Sequence, residues 1–210
     1  MRDVLIPGGR DVRGTLEEPT DDPRAIVVAC PPHPRHGGSR SDPRLVAVSD
    51  ALSAVGIACL RFDYGTWDDG HGERADVRNA VWWAREEYDG LPVGVFGYSF
   101  GATLALLVSA DTDPDAVAVL APTAQLGESL DALEAVADIA CPLQVLYGER
   151  DTTAEWEPVV DRATEHGAVV TALPSDHSFR NQHPAVADAV IEFLGPALCE
   201  SACKSARYSR

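Results

Sequence analysis

The segment that most constrains the fold of this chain lies at residues 93–105. An apolar run, VGVF, leads into GYSFG at residues 97–101, and a helical run of small and apolar residues follows. The pattern predicts a buried strand, a sharp turn with Ser99 at its apex, and a helix. Glycine suits both sides of such a turn, because a side chain there would clash where the strand and the helix approach each other.

The same turn has a chemical consequence. It lifts the Ser99 hydroxyl above the edge of the sheet, and it leaves the N–H of Phe100 at a helix N-terminus, where it can bind a developing oxyanion. A G-x-S-x-G pattern arises by chance in about one chain of this length in fifteen. A glycine-rich turn without chemistry is therefore the alternative, and residues elsewhere in the chain must decide between the two.

Strand-like and helix-like segments alternate along almost the whole chain. An edge hairpin is predicted in residues 2–18. Further strands are predicted at residues 25–30, 57–62, 92–97, 115–120, 142–147 and 168–173, and helices at 43–55, 73–88, 100–110, 154–166 and 184–194. This alternation predicts an α/β fold with a mostly parallel central sheet of about eight strands and helices on both faces.

The length predicts a single domain in residues 1–195, because a chain of 210 residues can build one full-sized core. Residues 196–210 lose the helical periodicity, and we predict a flexible C-terminal tail there. Residues 121–141 leave room for a loop and one short helix, so no cap domain is expected. No apolar run reaches about 18 residues and no signal peptide is visible, so we expect a cytoplasmic protein that does not enter the membrane.

The composition bears on the partners of the protein. A formal net charge of −16 disfavours nucleic acids and anionic membranes, so we expect a small-molecule substrate and a monomer or homodimer. Only one of the 17 basic residues, Lys204, is a lysine. An acidic, lysine-poor surface is typical of salt-loving organisms, in which ionic strength screens the repulsion, although a GC-rich genome would also favour arginine. The five cysteines are odd in number and form no C-x-x-C pair, which predicts free thiols and no structural zinc.

A serine nucleophile needs two partners, and two candidates follow predicted strands. An imidazole must take the serine proton, and a carboxylate must orient that imidazole and stabilise its charged form. Asp151 follows the strand at residues 142–147, and His177 follows the strand at residues 168–173. Because the carboxyl ends of parallel strands share one edge of a sheet, we predict that Ser99, His177 and Asp151 form a catalytic triad.

Alternatives to this triad remain open at the level of sequence. Glu149 is a rival for the acid, and Asp176 is a candidate for a further contact with His177. In a purely structural interpretation, Asp151 caps the helix that begins near Ala154, and His177 is an exposed loop residue.

Three segments together resemble the α/β-hydrolase superfamily, over about residues 3–195. They are residues 97–101, residues 141–151 and the pair Asp176-His177. More narrowly, the chain is similar to small lidless members described as dienelactone-hydrolase-like. These carry a His-Pro-rich loop after the third strand and then an Arg-Phe-x-aromatic-x-Gly segment, and residues 32–38 and 61–73 match that pattern.

Two positions depart from the pattern of these relatives. Pro31 stands where a histidine is usual, and Ser99 stands where the dienelactone hydrolases proper have a cysteine nucleophile. A dienelactone substrate therefore does not follow from the resemblance.

The resemblance implies a second oxyanion donor just after the third strand. The prolines at positions 31, 32 and 34 have no N–H, so the backbone N–H of His33 is the candidate donor beside that of Phe100. The His33 side chain would then pack or hydrogen-bond within the loop. His33 and His36 have a spacing that metal ligands can adopt, but no third ligand is evident, and we expect neither a metal nor a cofactor.

Four more side chains are candidates for the substrate pocket, with a place in the core as the alternative for each. They are Tyr98, Trp67, Leu126 and Trp156. The expected activity is hydrolysis of a carboxylic ester of a small or medium acyl group by a serine hydrolase, through an acyl-enzyme. The same triad would serve a thioesterase or a small-peptide hydrolase, and a third interpretation is a catalytically silent hydrolase fold used for binding.

Overall fold

The computed structural model describes residues 1–127 and 129–208, with side chains up to Cys199. The strands are β1 (Arg2–Ile6), β2 (Val12–Glu17), β3 (Ile26–Cys30), β4 (Ala58–Asp63), β5 (Val93–Tyr98), β6 (Ala116–Leu120), β7 (Gln125–Leu126), β8 (Leu130–Asp131), β9 (Leu143–Gly148) and β10 (Val169–Leu173). The helices are α1 (Pro43–Ala54), α2 (His71–Glu87), α3 (Phe100–Thr112), α4 (Ala132–Asp138), α5 (Glu157–Glu165) and α6 (His183–Tyr208), and Pro34–His36 form a short 3-10 turn.

Eight strands form one sheet in the order β1-β2-β4-β3-β5-β6-β9-β10. Strand β2 runs antiparallel to both of its neighbours, and every other pair is parallel. The chain leaves β3 for β4 on one side and then returns to form β5 on the other side. Because the strand order reverses at β3, the loops after β3 and β5 leave a crevice between them, which is the usual place for a site in such a sheet.

The core consists of two layers, one on each face of the sheet. Helices α2, α3, α4 and α5 cover one face, and α1 and α6 cover the other. Strands β3, β5 and β6 are buried along their whole length, which explains why they read as continuous apolar runs rather than as alternating ones. The predicted α/β architecture, the mostly parallel eight-stranded sheet and the absence of an inserted cap in the 121–141 connection are thereby confirmed.

The connection between β6 and β9 contains a small hairpin that the sequence did not predict. Strands β7 and β8 pair antiparallel with two residues each, ahead of α4. Strands of two residues are too short to show an alternation of apolar and polar positions, so periodicity could not have found them.

The predicted end of the last helix is wrong. Helix α6 continues through Pro196 to Tyr208, and the Leu198 side chain is fully buried. Proline usually marks a helix boundary, but here tertiary packing outweighs that tendency: Leu198 lies on Gly94 in β5, where an added Cβ would come within 3.1 Å of it. The predicted flexibility of residues 196–210 stays a prediction, and the side chains beyond Cys199 lie outside the described part.

Of the helices that the structure describes, none combines the length and the apolar character that crossing a bilayer requires.

Replacing Leu198 with alanine should lower the free energy of unfolding by about 2–5 kcal/mol, because the substitution leaves a cavity against Gly94. Urea denaturation measures the change. Leu5→Ala is the matched control: Leu5 is 65% exposed, and its truncation should change the stability by less than about 0.5 kcal/mol. Equal losses of unfolding free energy in Leu198→Ala and Leu5→Ala would contradict the packing of Leu198 on Gly94.

Candidate active site

Ser99 lies at the apex of the turn between β5 and α3. Its backbone has φ 55° and ψ −120°, a conformation that non-glycine residues rarely adopt, and its N–H donates to the Leu120 carbonyl at 2.8 Å. A Cβ on Gly97 would overlap the Gly101 backbone, and a Cβ on Gly101 would overlap the carbonyl oxygens that end β3. The steric requirement for both glycines, expected from the sequence, is confirmed.

A continuous hydrogen-bond relay joins Ser99 to His177 and His177 to Asp151. Ser99 Oγ lies 2.9 Å from His177 Nε2, and His177 Nδ1 lies 2.7 Å from Asp151 Oδ2. With the ring proton on Nδ1, the Nε2 atom is free to accept the serine proton. The three residues that the sequence placed at separate loops therefore meet with the geometry that a serine nucleophile requires.

The Asp151 carboxylate divides its two oxygens between different partners. While Oδ2 faces His177, Oδ1 accepts from the backbone N–H groups of Thr153 at 2.8 Å and Ala154 at 3.1 Å. The side chain is fully buried. Helix α5 begins only at Glu157, so Asp151 orders the loop ahead of the helix and does not cap the helix itself.

The two rival acids have other surroundings. Glu149 is exposed, and its backbone N–H continues the sheet by donating to the Leu173 carbonyl. Asp176 accepts hydrogen bonds from the hydroxyl and the N–H of Ser178, which lower the pKa of its carboxyl. Asp151 is thus the carboxylate that the structure brings onto the His177 ring.

The loop that carries His177 is held by Tyr98 and Arg44. The Tyr98 hydroxyl donates to the His177 carbonyl at 2.8 Å, and burial raises the pKa of Tyr98 to about 12, so the hydroxyl stays a donor. Arg44 in α1 places its guanidinium over the Tyr98 ring, 4.5 Å from the centroid, and donates to the Ser178 carbonyl at 3.0 Å. Sequence reasoning missed Arg44, because nothing in the pattern of α1 distinguishes it from a surface arginine.

His33 and Phe100, the predicted oxyanion residues, come together at the crevice between β3 and β5. Phe100 is the first residue of α3, so its N–H has no acceptor within the helix. The ring centroids of His33 and Phe100 lie 4.8 Å apart. The structure brings the two residues side by side, and the binding of an oxyanion by their N–H groups stays a prediction.

The four predicted pocket residues lie in four different surroundings. Tyr98 borders the clefts beside His177, and Trp67 stacks on His33 with centroids 4.6 Å apart. Leu126 is partly buried on β7. The Trp156 ring stacks on that of Tyr147, and its indole N–H donates to the Asp151 carbonyl at 3.1 Å, so Trp156 packs against the loop that carries Asp151. A role in substrate binding stays a prediction for all four.

Two adjoining cavities, of about 520 and 280 Å³, open beside His177. Both are lined by His177, Arg44, Tyr98 and Thr153. The larger cavity is also lined by the exposed side chains of Arg150 and Arg180, with Asp176 as its one carboxylate. Arg44 is ion-paired with Asp42. The larger cavity thus carries two exposed arginines beside Asp176, in a chain whose net charge is −16.

Among the side chains that the structure describes, in residues 1–127 and 129–199, no cluster of three or more metal-binding groups is found. The rings of His33 and His36 are stacked, with centroids 4.4 Å apart. The expectation of no metal and no cofactor stays a prediction.

The fold and the family define a hydrolase of the α/β-hydrolase class without a lid. The model of the dienelactone hydrolase family matches residues 69–193, more than half of the chain, and the chain belongs to this family. A search of curated proteins finds no match.

Solved structures share this fold along nearly their whole length. An α/β serine hydrolase homologue from Coxiella burnetii has a TM-score of 0.81 and 21% identity, with 92% of this chain and 97% of that chain covered. A serine hydrolase without a lid from Xanthomonas campestris has a TM-score of 0.80 and 21% identity, with 94% of each chain covered. Est1E from Butyrivibrio proteoclasticus has a TM-score of 0.79 and 18% identity, with 94% and 99% covered.

The glycines of the turn allow a matched test. Gly101 and Gly195 both lie in helices, where alanine is favoured over glycine by about 1 kcal/mol. Gly195→Ala should leave the protein as stable or more stable, because nothing lies within 4 Å of the added Cβ. Gly101→Ala should destabilise it by about 1–3 kcal/mol, because the Cβ overlaps the carbonyls of Cys30 and Pro31. Thermal unfolding checks both, and a gain at Gly101 would refute the packing of the turn.

Proposed function

We propose that this protein is a serine hydrolase that cleaves the carboxylic ester of a small or medium acyl group through an acyl-enzyme. The observation that carries the proposal is the relay from Ser99 through His177 to the buried Asp151, with distances of 2.9 and 2.7 Å. Membership of the dienelactone hydrolase family supports the same class of reaction.

In the proposed mechanism, Ser99 Oγ attacks the ester carbonyl while His177 Nε2 takes its proton. The buried Asp151 carboxylate then stabilises the imidazolium through Nδ1. The N–H groups of Phe100 and His33 hold the oxyanion of the tetrahedral intermediate. His177 returns the proton to the leaving alcohol, and a water activated by the same ring hydrolyses the acyl-enzyme.

The two alternative functions use the same architecture. A thioesterase or small-peptide hydrolase would differ in the leaving group that His177 protonates, so a panel of p-nitrophenyl esters, acyl-CoA thioesters and aminoacyl amides separates them from an esterase. A silent fold used for binding would need no relay, and the aligned Ser99–His177–Asp151 hydrogen bonds favour catalysis over it. The cytoplasmic location, the monomer or homodimer and the high-salt habitat stay predictions.

The triad assignment is tested with a fluorophosphonate probe, which phosphorylates an activated serine. We expect labelling of the wild type and none of Ser99→Ala. Asp151→Asn should lower kcat for ester hydrolysis by about 10³–10⁴-fold, because the amide no longer stabilises the imidazolium.

Glu149→Gln is the matched control for the acid, because Glu149 lies two residues away and faces solvent. It should keep kcat within about two-fold of the wild type. Labelling that survives Ser99→Ala, or a loss in Glu149→Gln as large as in Asp151→Asn, would refute the assignment.

The arginines that line the cleft predict a preference for esters that carry a negative charge. Arg150 and Arg180 are exposed there, so each contributes a modest, salt-screened attraction. The kcat/KM of a p-nitrophenyl hemiglutarate relative to that of p-nitrophenyl butyrate should fall by about two- to five-fold in Arg180→Gln.

Arg13→Gln removes the same charge from an exposed arginine on β2, outside the cleft, and should leave this ratio unchanged. An equal change in both variants would assign the effect to net charge alone, and the preference for anionic esters would then be rejected.

A further inference from the structure

The side chain of His33 lies at the centre of a group of rings, which we call the ring cluster and define as His33, His36, Trp67 and Phe100. The His33 centroid lies 4.4 Å from that of His36, 4.6 Å from that of Trp67 and 4.8 Å from that of Phe100. His36 is its neighbour in the 3-10 turn, Trp67 belongs to the loop after β4, and Phe100 begins α3. The His33 ring therefore connects three separate segments of the chain.

The same residue is anchored through its polar atoms. The ring Nδ1 accepts from the N–H of Arg35 at 3.2 Å, and the His33 carbonyl accepts from the N–H groups of His36 at 3.0 Å and Gly38 at 3.1 Å. A ring nitrogen that accepts a hydrogen bond carries no proton, so this arrangement requires the neutral imidazole. These bonds hold the ring and the carbonyl of His33. The His33 N–H belongs to the preceding peptide, whose Pro32 carbonyl oxygen packs on Gly38, where an added Cβ would come within 2.1 Å of it.

The ring contact joins the two residues whose N–H groups are the proposed oxyanion donors. The strands that lead to them are neighbours in the sheet, with Cys30 in register with Gly97. Beyond the strand ends, register no longer sets their separation. There, Gly101 at the start of α3 rests on the carbonyls of Cys30 and Pro31, and the contact between the His33 and Phe100 rings adds a second link between the two segments. Trp67 covers the two rings, with its centroid 5.7 Å from that of Phe100.

We propose that the neutral imidazole of His33 is a positioning group for the oxyanion hole: its packing on Phe100 and its hydrogen bond with Arg35 hold the His33 N–H at the distance from the Phe100 N–H that the tetrahedral intermediate requires. The inference rests on the proposed function, and it assigns a role in catalysis to a side chain for which the sequence predicted only packing or hydrogen bonding within the loop. A displacement of about 1 Å at such a site can cost about 100-fold in rate.

The charged groups around His33 decide how this positioning depends on pH. Burial, the facing His36 ring and Arg35 lower the pKa of His33, and Glu73 in α2 acts in the opposite direction. The same cavity is lined by Asp42 and Arg44 at the start of α1 and by His177 after β10. The lowered pKa keeps His33 neutral at physiological pH. As the pH falls through this pKa, the hydrogen bond from Arg35 to His33 is lost, because a protonated Nδ1 would face the Arg35 N–H donor.

Three variants separate the two contacts of the ring. His33→Phe keeps an aromatic ring against Phe100, His33→Asn keeps an acceptor for the Arg35 N–H, and His33→Ala keeps neither. We expect kcat for ester hydrolysis to fall by about 10–100-fold in His33→Ala with KM within about two-fold, and His33→Phe and His33→Asn to recover part of the loss. His71→Ala, an exposed histidine at the start of α2, is the matched control and should leave kcat unchanged.

The affinity for a boronic acid is a measurement that a general loss of stability would not change. Ser99 Oγ adds to boron while its proton passes to His177, and one oxygen of the tetrahedral adduct occupies the oxyanion site. The affinity should fall in His33→Ala by the same factor as kcat/KM. In addition, His33→Phe has no ionisable ring, so as the pH is lowered below 6.5, the ordinary pKa of histidine, it should lose a smaller fraction of its kcat/KM than the wild type loses.

The outcomes are distinguishable. If His33→Ala keeps kcat, or if it loses thermal stability while boronic acid affinity is unchanged, the positioning role is refuted and the proposed hydrolase stands. The role is also refuted if His33→Phe follows the wild-type pH profile. If the wild type neither hydrolyses esters nor reacts with the fluorophosphonate, the proposed function itself fails.

Discussion

The close approach of backbone around Ser99 is the constraint on which the rest of the site depends. Neither Gly97 nor Gly101 has room for a side chain, and Gly101 rests on the carbonyls of Cys30 and Pro31. This contact seats the N-terminus of α3 on the end of β3, so the serine and the loop after β3 occupy the same end of the sheet. The strained backbone of Ser99 persists because the surrounding contacts leave that residue no relaxed alternative.

The charged groups at the site differ from the acidic average of the whole chain. The buried Asp151 is stabilised by two backbone N–H groups and by His177, which together compensate its loss of hydration. Beside His177, the larger cavity is lined by the exposed Arg150 and Arg180 and by Arg44, which is ion-paired with Asp42, although the net charge is −16. The proposed preference for anionic esters depends on the local field of these arginines rather than on the average charge of the surface.

Most of the fold was predictable because the local sequence pattern of nearly every segment agrees with the element that the segment forms. Fully buried strands read as apolar runs, and the helices between them show their period, so the layers and the parallel sheet followed. Two elements escaped. The β7–β8 hairpin is too short to have a period, and α6 passes through Pro196 because Leu198 packs on Gly94, a contact between positions far apart in sequence.

The sequence by itself determined the elements, the glycines of the turn and the candidates for the site, because periodicity, steric demand and position after a strand are local properties. Only the tertiary structure decided that Asp151, rather than Glu149 or Asp176, lies on His177, and that Tyr98 and Arg44 hold the loop of that histidine. It also decided that the rings of His33 and Phe100 touch. Such contacts join residues as much as 134 positions apart, and they depend on strand order and register across the sheet, which no local pattern encodes.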